Sequence, residues 1–209
     1  MPEQDWLTIA VPKGRVLKSL AKRFAEAGVD PGVLLKEDRR LVREDAERRV
    51  RFLLLKPDDV PTYVEYGTAD LGIVGRDVLL ERDYDLHVPL DLGIGVCKMA
   101  VAGLAGQPPQ PNPLRPLRVA TKFTRIAGRH YAQQGQQVEL IYVGGSVELA
   151  PITGLADVIV DLVETGETLR QNGLEVFEHV CDVSSVVVAN GAGLKLRREP
   201  IRQFLKAVS

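Results

Sequence analysis

Short solid apolar runs, each only long enough for one strand, recur along this chain with helical spacing between them. They lie at residues 7–11, 52–55, 71–74, 119–122, 138–143, 158–162 and 186–189. Parallel strands covered on both faces read this way, whereas half-solvated antiparallel strands alternate. Between them Val16, Leu17, Leu20, Phe24 and Ala27 recur at helical spacing, and Gly28 stands where that helix would stop. Pro57 and Asp58 open a second helix carrying Val60, Tyr63 and Val64, which ends at Gly67. Further helices are predicted at 124–134, 145–152 and 167–171, then a terminal amphipathic helix at 194–208 with Pro200 inside it. The pattern is α/β. With 209 residues it fits one domain or two small lobes, and two α/β lobes around a central cleft is the economical arrangement.

Two segments interrupt this pattern. The stretch 37–49 is almost entirely charged and reads as a solvated hairpin or loop, with a binding surface as the alternative. The stretch 106–116 holds five prolines and reads as an exposed turn or linker. A net charge of -1 argues against a general nucleic-acid or membrane-surface binder. No apolar run approaches the ~20 residues that span a bilayer. The polar, acidic start lacks the pattern of a signal peptide. Cys97 and Cys181 sit in apolar stretches and read as buried free thiols, which suits a reducing cytoplasm. No nucleic-acid or membrane partner is expected.

The most informative stretch is VIVDLVETGETLRQNGL, residues 158–174. A buried strand runs into Asp161, then a tight turn through Glu164, Thr165 and Gly166, then a helix opened by Glu167, Thr168 and Leu169. Such a turn directs several backbone N–H groups and two hydroxyls at one small volume, which suits a phosphate dianion. Asp161 and Glu164 would repel a bare phosphate, but carboxylates accept hydrogen bonds from sugar hydroxyls. The arrangement therefore suggests a ribose 5-phosphate. The structural alternative is an ordinary helix cap at Thr165 with Glu167 in the first turn.

The surroundings of this turn bring in a family. Glu148, Gly154, Ala156, Ile159, Asp161, Thr165, Gly166, Thr168 and Leu169 match, without a gap, the signature of the ATP phosphoribosyltransferases of histidine biosynthesis. The resemblance continues at AVPKGR (10–15), at residues 59–79 and at RVATK (118–122), and covers essentially the whole chain. It departs from the type I phosphoribosyltransferase motif, which has two adjacent acidic residues before the turn, because Leu162 follows Asp161. The resemblance implies a two-lobed fold of the type II periplasmic-binding-protein kind, here with residues 1–92 plus 178–209 as one lobe. Residues 93–177 would form the other, carrying the phosphoribosyl-phosphate loop. The chain looks like the family's short form, which implies a separate regulatory subunit resembling histidyl-tRNA synthetase. A hetero-oligomer is expected, or a homodimer when the chain is alone, with histidine acting only through that partner.

The implied reaction joins C1 of phosphoribosyl pyrophosphate to N1 of ATP and releases pyrophosphate. Lys13, Gly14 and Arg15 offer backbone donors and two cations after the first strand, suited to a pyrophosphate or triphosphate. Lys56, at the end of the next buried run, belongs at the same strand ends, with Arg76 a weaker candidate. Arg15 and Lys56 are the expected catalytic cations. Lys13, Gly14, Asp161, Glu164, Thr165, Gly166, Glu167, Thr168 and Leu169 are the expected substrate-binding residues. No protein-held metal is expected; Mg²⁺ would travel mainly on the substrate phosphates. His87, His130 and His179 have no metal or catalytic spacing. Two rivals stand beside this reading: a non-catalytic cytoplasmic small-molecule sensor of the same fold, and a phosphoribosyltransferase acting on another base.

Overall fold

Alternate residues of the short apolar runs feed two different cores, and this is why those runs are solid. The structure, a computed structural model, describes residues 6–110, 112 and 114–209. The acidic start at residues 1–5, and Pro111 and Pro113 of the proline-rich stretch, lie outside the described residues. In chain order the elements are β1 (Leu7–Pro12), α1 (Val16–Glu26), α2 (Pro31–Leu35), β2 (Val42–Asp45), β3 (Val50–Leu55), a 3₁₀ turn (Pro57–Asp59), α3 (Val60–Glu65) and β4 (Leu71–Gly75). They continue with α4 (Arg76–Glu81), β5 (His87–Leu104), β6 (Leu117–Thr121), α5 (Thr124–Gln133), β7 (Val138–Tyr142) and α6 (Leu149–Ile152). The last are β8 (Val158–Val163), α7 (Glu167–Gln171), β9 (Leu174–Ala189), α8 (Gly191–Leu196) and α9 (Arg198–Val208). No helix among the described residues is long and apolar enough to cross a membrane.

Two compact units result. The first comprises the chain up to Leu79, Asp83–Gly95 and Ser184–Ser209; the second comprises Leu80–Arg82 and Val96–Val183. Both draw on the long strands β5 and β9. In the first unit β1 runs parallel to β3 and β4, with Pro12 opposite Leu55 and Ile9 opposite Leu71. β2 is antiparallel to β3 and β9 is antiparallel to β4. Ile9, Val11, Phe52, Leu54, Leu71 and Ile73 join Leu20 and Phe24 of α1 and Ile201 and Phe204 of α9 in one core. Ala10, Leu53, Leu55 and Val74 face the other way, against Val60 and Val64 of α3 and Val78 of α4. Gly72 permits the close seating of α3, since a Cβ there would stand 2.6 Å from Val64 and 2.8 Å from Val60.

The second unit repeats the scheme. β6 runs parallel to β7 and β8, and β5 is antiparallel to β8. Val119, Val158 and Val160 pack with Ile126, Ala127 and Tyr131 of α5. Ala120 and Ile159 pack on the opposite side with Ala150 of α6 and Leu169 of α7.

The structure differs from the sequence expectation in several places. The terminal helix is two helices, α8 and α9, because Pro200 sits in the first turn of α9, where its missing N–H costs no hydrogen bond. Within the charged stretch, β2 forms the hairpin with β3, but Arg43 is not a solvated charge. Its guanidinium donates to the carbonyls of Val33, Leu34 and Lys36 and so caps the end of α2. Both cysteines are free, Cys97 buried and Cys181 only half-buried at the rim of the second unit's core.

Candidate active site

In the first unit the expected cations gather at one edge of the sheet. β1 and β3 end side by side, and the Lys13 N–H donates to the Leu55 carbonyl at 2.8 Å, so Lys13 and Lys56 leave adjacent parallel strands at the same end. Gly14 has φ 98°, a value that a side chain would strain. It reverses the chain into α1, whose N-cap is Arg15. The Gly14 carbonyl accepts from Leu17 N–H at 3.1 Å, closing the first turn. Lys13, Gly14, Arg15 and Lys56 are all exposed. Among the described residues Lys13 and Lys56 form no ion pair. β4 ends at the same edge, so Arg76, directly after Gly75, joins this group. The structure thus brings together Lys13, Gly14, Arg15, Lys56 and Arg76.

In the second unit the turn after β8 has the same plan. Gly166 is the N-cap of α7 with φ 74° and ψ 4°. The nearest atom to a Cβ built there is Val163 Cγ1 at 3.9 Å, so the positive φ, rather than crowding within the chain, calls for glycine. Thr165 Oγ1 accepts from Glu167 N–H at 3.3 Å, the start of a cap, and the Gly166 carbonyl accepts from Arg170 N–H at 3.0 Å. Glu164, Thr165, Glu167 and Thr168 are exposed and Asp161 is half-buried. The Glu167 carboxylate pairs with Arg170 and accepts from Gln171 Nε2 at 2.7 Å. Its contribution to the loop is therefore its backbone N–H. Leu169 is buried in the core below and anchors the turn. Asp161, Glu164, Thr165, Gly166, Glu167, Thr168 and Leu169 form one continuous loop and helix start.

The carboxyl end of β6 lies beside that of β8, and the carboxyl end of β7 lies on the far side of β6. They add features that the strand-and-turn reading did not single out. The buried Thr121 hydroxyl donates to the Val160 carbonyl at 2.6 Å and accepts from Phe123 N–H at 2.8 Å, pinning the end of β6 to β8. Lys122 follows it, with its ammonium 5.6 Å from the Phe123 ring centroid. After β7, Ser146 has φ 47°, unusual for a residue with a side chain. Only the RVATK match hinted at Lys122.

The histidines lie elsewhere. His130 is 3.3 Å from Glu178 and His179 is 2.9 Å from Asp182, while His87 is exposed at the start of β5. Among the described residues no three His, Cys, Asp or Glu side chains are grouped to hold a metal ion. Asp161 in β8 and Glu164 just after it are the carboxylates that precede the Thr165–Gly166 turn.

Comparison with known proteins shows the family of the chain. The HisG model, described as ATP phosphoribosyltransferase, matches residues 56–209. An ATP phosphoribosyltransferase of Sorangium cellulosum is 56% identical over 201 residues, covering 96% of this chain and 93% of its own. One of Geobacter metallireducens is 45% identical over 206 residues, covering 98% and 97%. The chain belongs to the ATP phosphoribosyltransferase family. The alignments to these relatives also span nearly all the residues before 56, where Lys13–Arg15 lie. Among solved structures, the ATP phosphoribosyl transferase (HisG:HisZ) complex of Thermotoga maritima superposes with a TM-score of 0.82 at 35% identity, covering 97% of this chain and 95% of that one. The fold is the periplasmic-binding-protein-like α/β fold of this family. The protein is a transferase of the first step of histidine biosynthesis, and these matches do not favour the sensor alternative.

Proposed function

We propose that the two turns divide the substrates of the family's reaction by chemistry. The Glu164–Thr168 turn holds the 5-phosphate of phosphoribosyl pyrophosphate through the N–H groups around Gly166 and the hydroxyls of Thr165 and Thr168. Asp161 and Glu164 accept hydrogen bonds from the ribose hydroxyls. Lys13 and the Gly14 backbone receive polyphosphate, and Arg15 and Lys56 stabilise the pyrophosphate as it departs. When bound, Mg²⁺ would ride mainly on the substrate phosphates and would neutralise part of their charge, with Asp161 and Glu164 as the oxygen donors this turn would offer it.

The chemistry needs no activated side-chain nucleophile. The lone pair of adenine N1 forms a bond to C1 of the ribose as the bond from C1 to the pyrophosphate oxygen breaks. The electron pair of that bond leaves with pyrophosphate. Positive charge grows on the ribose while negative charge grows on the leaving group. Catalysis therefore rests on alignment and on cations placed for the leaving group. The residues gathered at the two turns, cations in one and hydroxyls with carboxylates in the other, match that demand.

The observation that carries this reading is the left-handed Gly166 between Thr165 and Thr168 at the end of β8. Thr168→Ala removes one hydroxyl from a charged ligand and is expected to raise the KM for phosphoribosyl pyrophosphate about tenfold, with folding unchanged. An unaltered KM with normal stability would leave the turn as a helix cap only. The partner supported by the Thermotoga complex is a HisZ-type regulatory chain, the subunit resembling histidyl-tRNA synthetase expected from the sequence. Co-elution of the two chains on gel filtration checks it, and separate elution would count against it. The cytoplasm is the compartment this biosynthetic role implies.

A further inference from the structure

One carboxylate in the first unit collects donors from three elements without belonging to either turn. Asp91, in β5, accepts from Arg76 Nη2 at 3.1 Å and from Ser184 Oγ of β9 at 2.8 Å, both on Oδ2. Its Oδ1 accepts from the Gly93 N–H at 2.9 Å. Stability does not explain this convergence. The Arg76 and Asp91 side chains are 42% and 44% exposed, and ion pairs so placed contribute little to folding. Orientation does explain it. Arg76 opens α4 directly after β4, at the edge where Lys13 and Lys56 emerge from β1 and β3. Asp91 engages only Nη2, and among the described residues the remaining guanidinium nitrogens make no hydrogen bond.

We propose that Asp91 is a positioning residue for the family's reaction, holding the Arg76 guanidinium at this edge so that its remaining N–H donors meet a substrate phosphate already oriented. The inference rests on the reading that this edge receives polyphosphate. A guanidinium fixed by a carboxylate has fewer rotamers to lose on binding, and its planar fork suits phosphate oxygens. The Gly93 amide holds the Asp91 carboxyl below its usual range against the opposing effect of burial, with Ser184 and Arg76 adding to it. The support is therefore ionised at neutral pH. Ser184 strengthens the hold from the neighbouring strand.

The test is a double-mutant cycle, with KM and kcat measured separately for both substrates and a thermal midpoint for each variant. Arg76→Ala is expected to raise the KM of one phosphate substrate about tenfold. Asp91→Asn keeps an oxygen for the Gly93 N–H but loses the charge that holds Arg76, and should raise the same KM several-fold. Arg76→Ala/Asp91→Asn should match Arg76→Ala alone. Ser184→Ala, which leaves the charge in place, should show a smaller rise that also vanishes in the Arg76→Ala background. Asp91→Glu should recover part of the loss. Losses that multiply in the double variant, or an Asp91→Asn enzyme with unaltered KM, would overturn the proposal. If Arg76→Ala has no effect while Lys56→Ala slows the enzyme, only this inference fails. If Lys13→Ala, Arg15→Ala and Lys56→Ala are all without effect, the reading of the edge itself fails.

Discussion

The turn after β1 and the turn after β8 are built alike. Each leaves the carboxyl end of a buried parallel strand, passes through a left-handed glycine and enters a helix: Gly14 at φ 98° before α1, Gly166 at φ 74° before α7. Their side chains are opposite in kind. Lys13 and Arg15 flank the first glycine, whereas Glu164, Thr165, Glu167 and Thr168 surround the second. The shared backbone presents N–H groups to any anion, so it does not distinguish ligands. The side chains do: a cationic turn suits a group leaving with negative charge, and hydroxyls with carboxylates suit a phosphorylated sugar.

The largest expected effect separates chemistry from binding. Arg15→Ala or Lys56→Ala should lower kcat by about 10²–10³, the usual cost of one electrostatic donor to a developing charge. Single-turnover measurement of pyrophosphate release checks this. A variant that only raises KM, with kcat intact at saturation, would make that cation a ground-state contact.

A second variant provides a contrast away from both turns. Asp157, just before β8, accepts from Arg115 Nη1 at 2.6 Å and Nη2 at 2.8 Å, and from Arg118 N–H at 2.9 Å. Here the charges satisfy one another and hold the chain together. Asp157→Asn should cost about 2 kcal/mol of stability at neutral pH, with substrate KM values unchanged. Arg115, first, and then the amide and guanidinium of Arg118 hold the Asp157 carboxyl well below its ordinary value of 3.8. The unfolded chain therefore binds this proton at a higher pH than the folded one. The contribution is complete above that ordinary value and is lost as pH falls through the lowered folded value. Urea midpoints should show the full gap between wild type and Asp157→Asn at pH 7 and a narrower one at pH 3, where the unfolded carboxyl is largely protonated while the folded one is still ionised. A gap that persists unchanged at pH 3 would show that the loss is not one of charge.

The smallest effect concerns the shared backbone. Gly166→Ala and Gly14→Ala should each cost about 1 kcal/mol of stability, the strain of a side chain at positive φ. The loss should be larger at Gly14, whose φ lies farther from the left-handed helical basin. Equal stability to wild type at either position would mean that the turn relaxes to negative φ.

Much of this was legible because both turns follow strands buried on both faces. Solid runs such as 71–74 and 158–162 stand out without an alignment, and residues 167–171 were predicted as the helix that α7 forms. The long strands were not legible. β5 is broken by Asp91, Gly93, Gly95 and Lys98, and the first part of β9 carries Glu175, Glu178, His179 and Asp182. Neither is solid or cleanly alternating until β5 reaches the all-buried Met99–Ala102 and β9 the all-buried Val186–Val188. The convergence of Arg76, Asp91 and Ser184 could not be read either, since Ser184 is 93 residues from Asp91 in the chain and meets it only through neighbouring strands. The role of Arg43 is hidden for a related reason: a charged neighbourhood conceals an arginine bound to three carbonyls.

The most direct test uses the two halves of the substrate as separate ligands. Ribose 5-phosphate and Mg²⁺-pyrophosphate are titrated calorimetrically into wild type, Thr168→Ala and Lys13→Ala. The division of labour predicts a crossed result. Thr168→Ala should lose about tenfold in affinity for ribose 5-phosphate and keep pyrophosphate, and Lys13→Ala should do the reverse. Both ligands weakening together in either variant, or ribose 5-phosphate binding unchanged in Thr168→Ala, would contradict it.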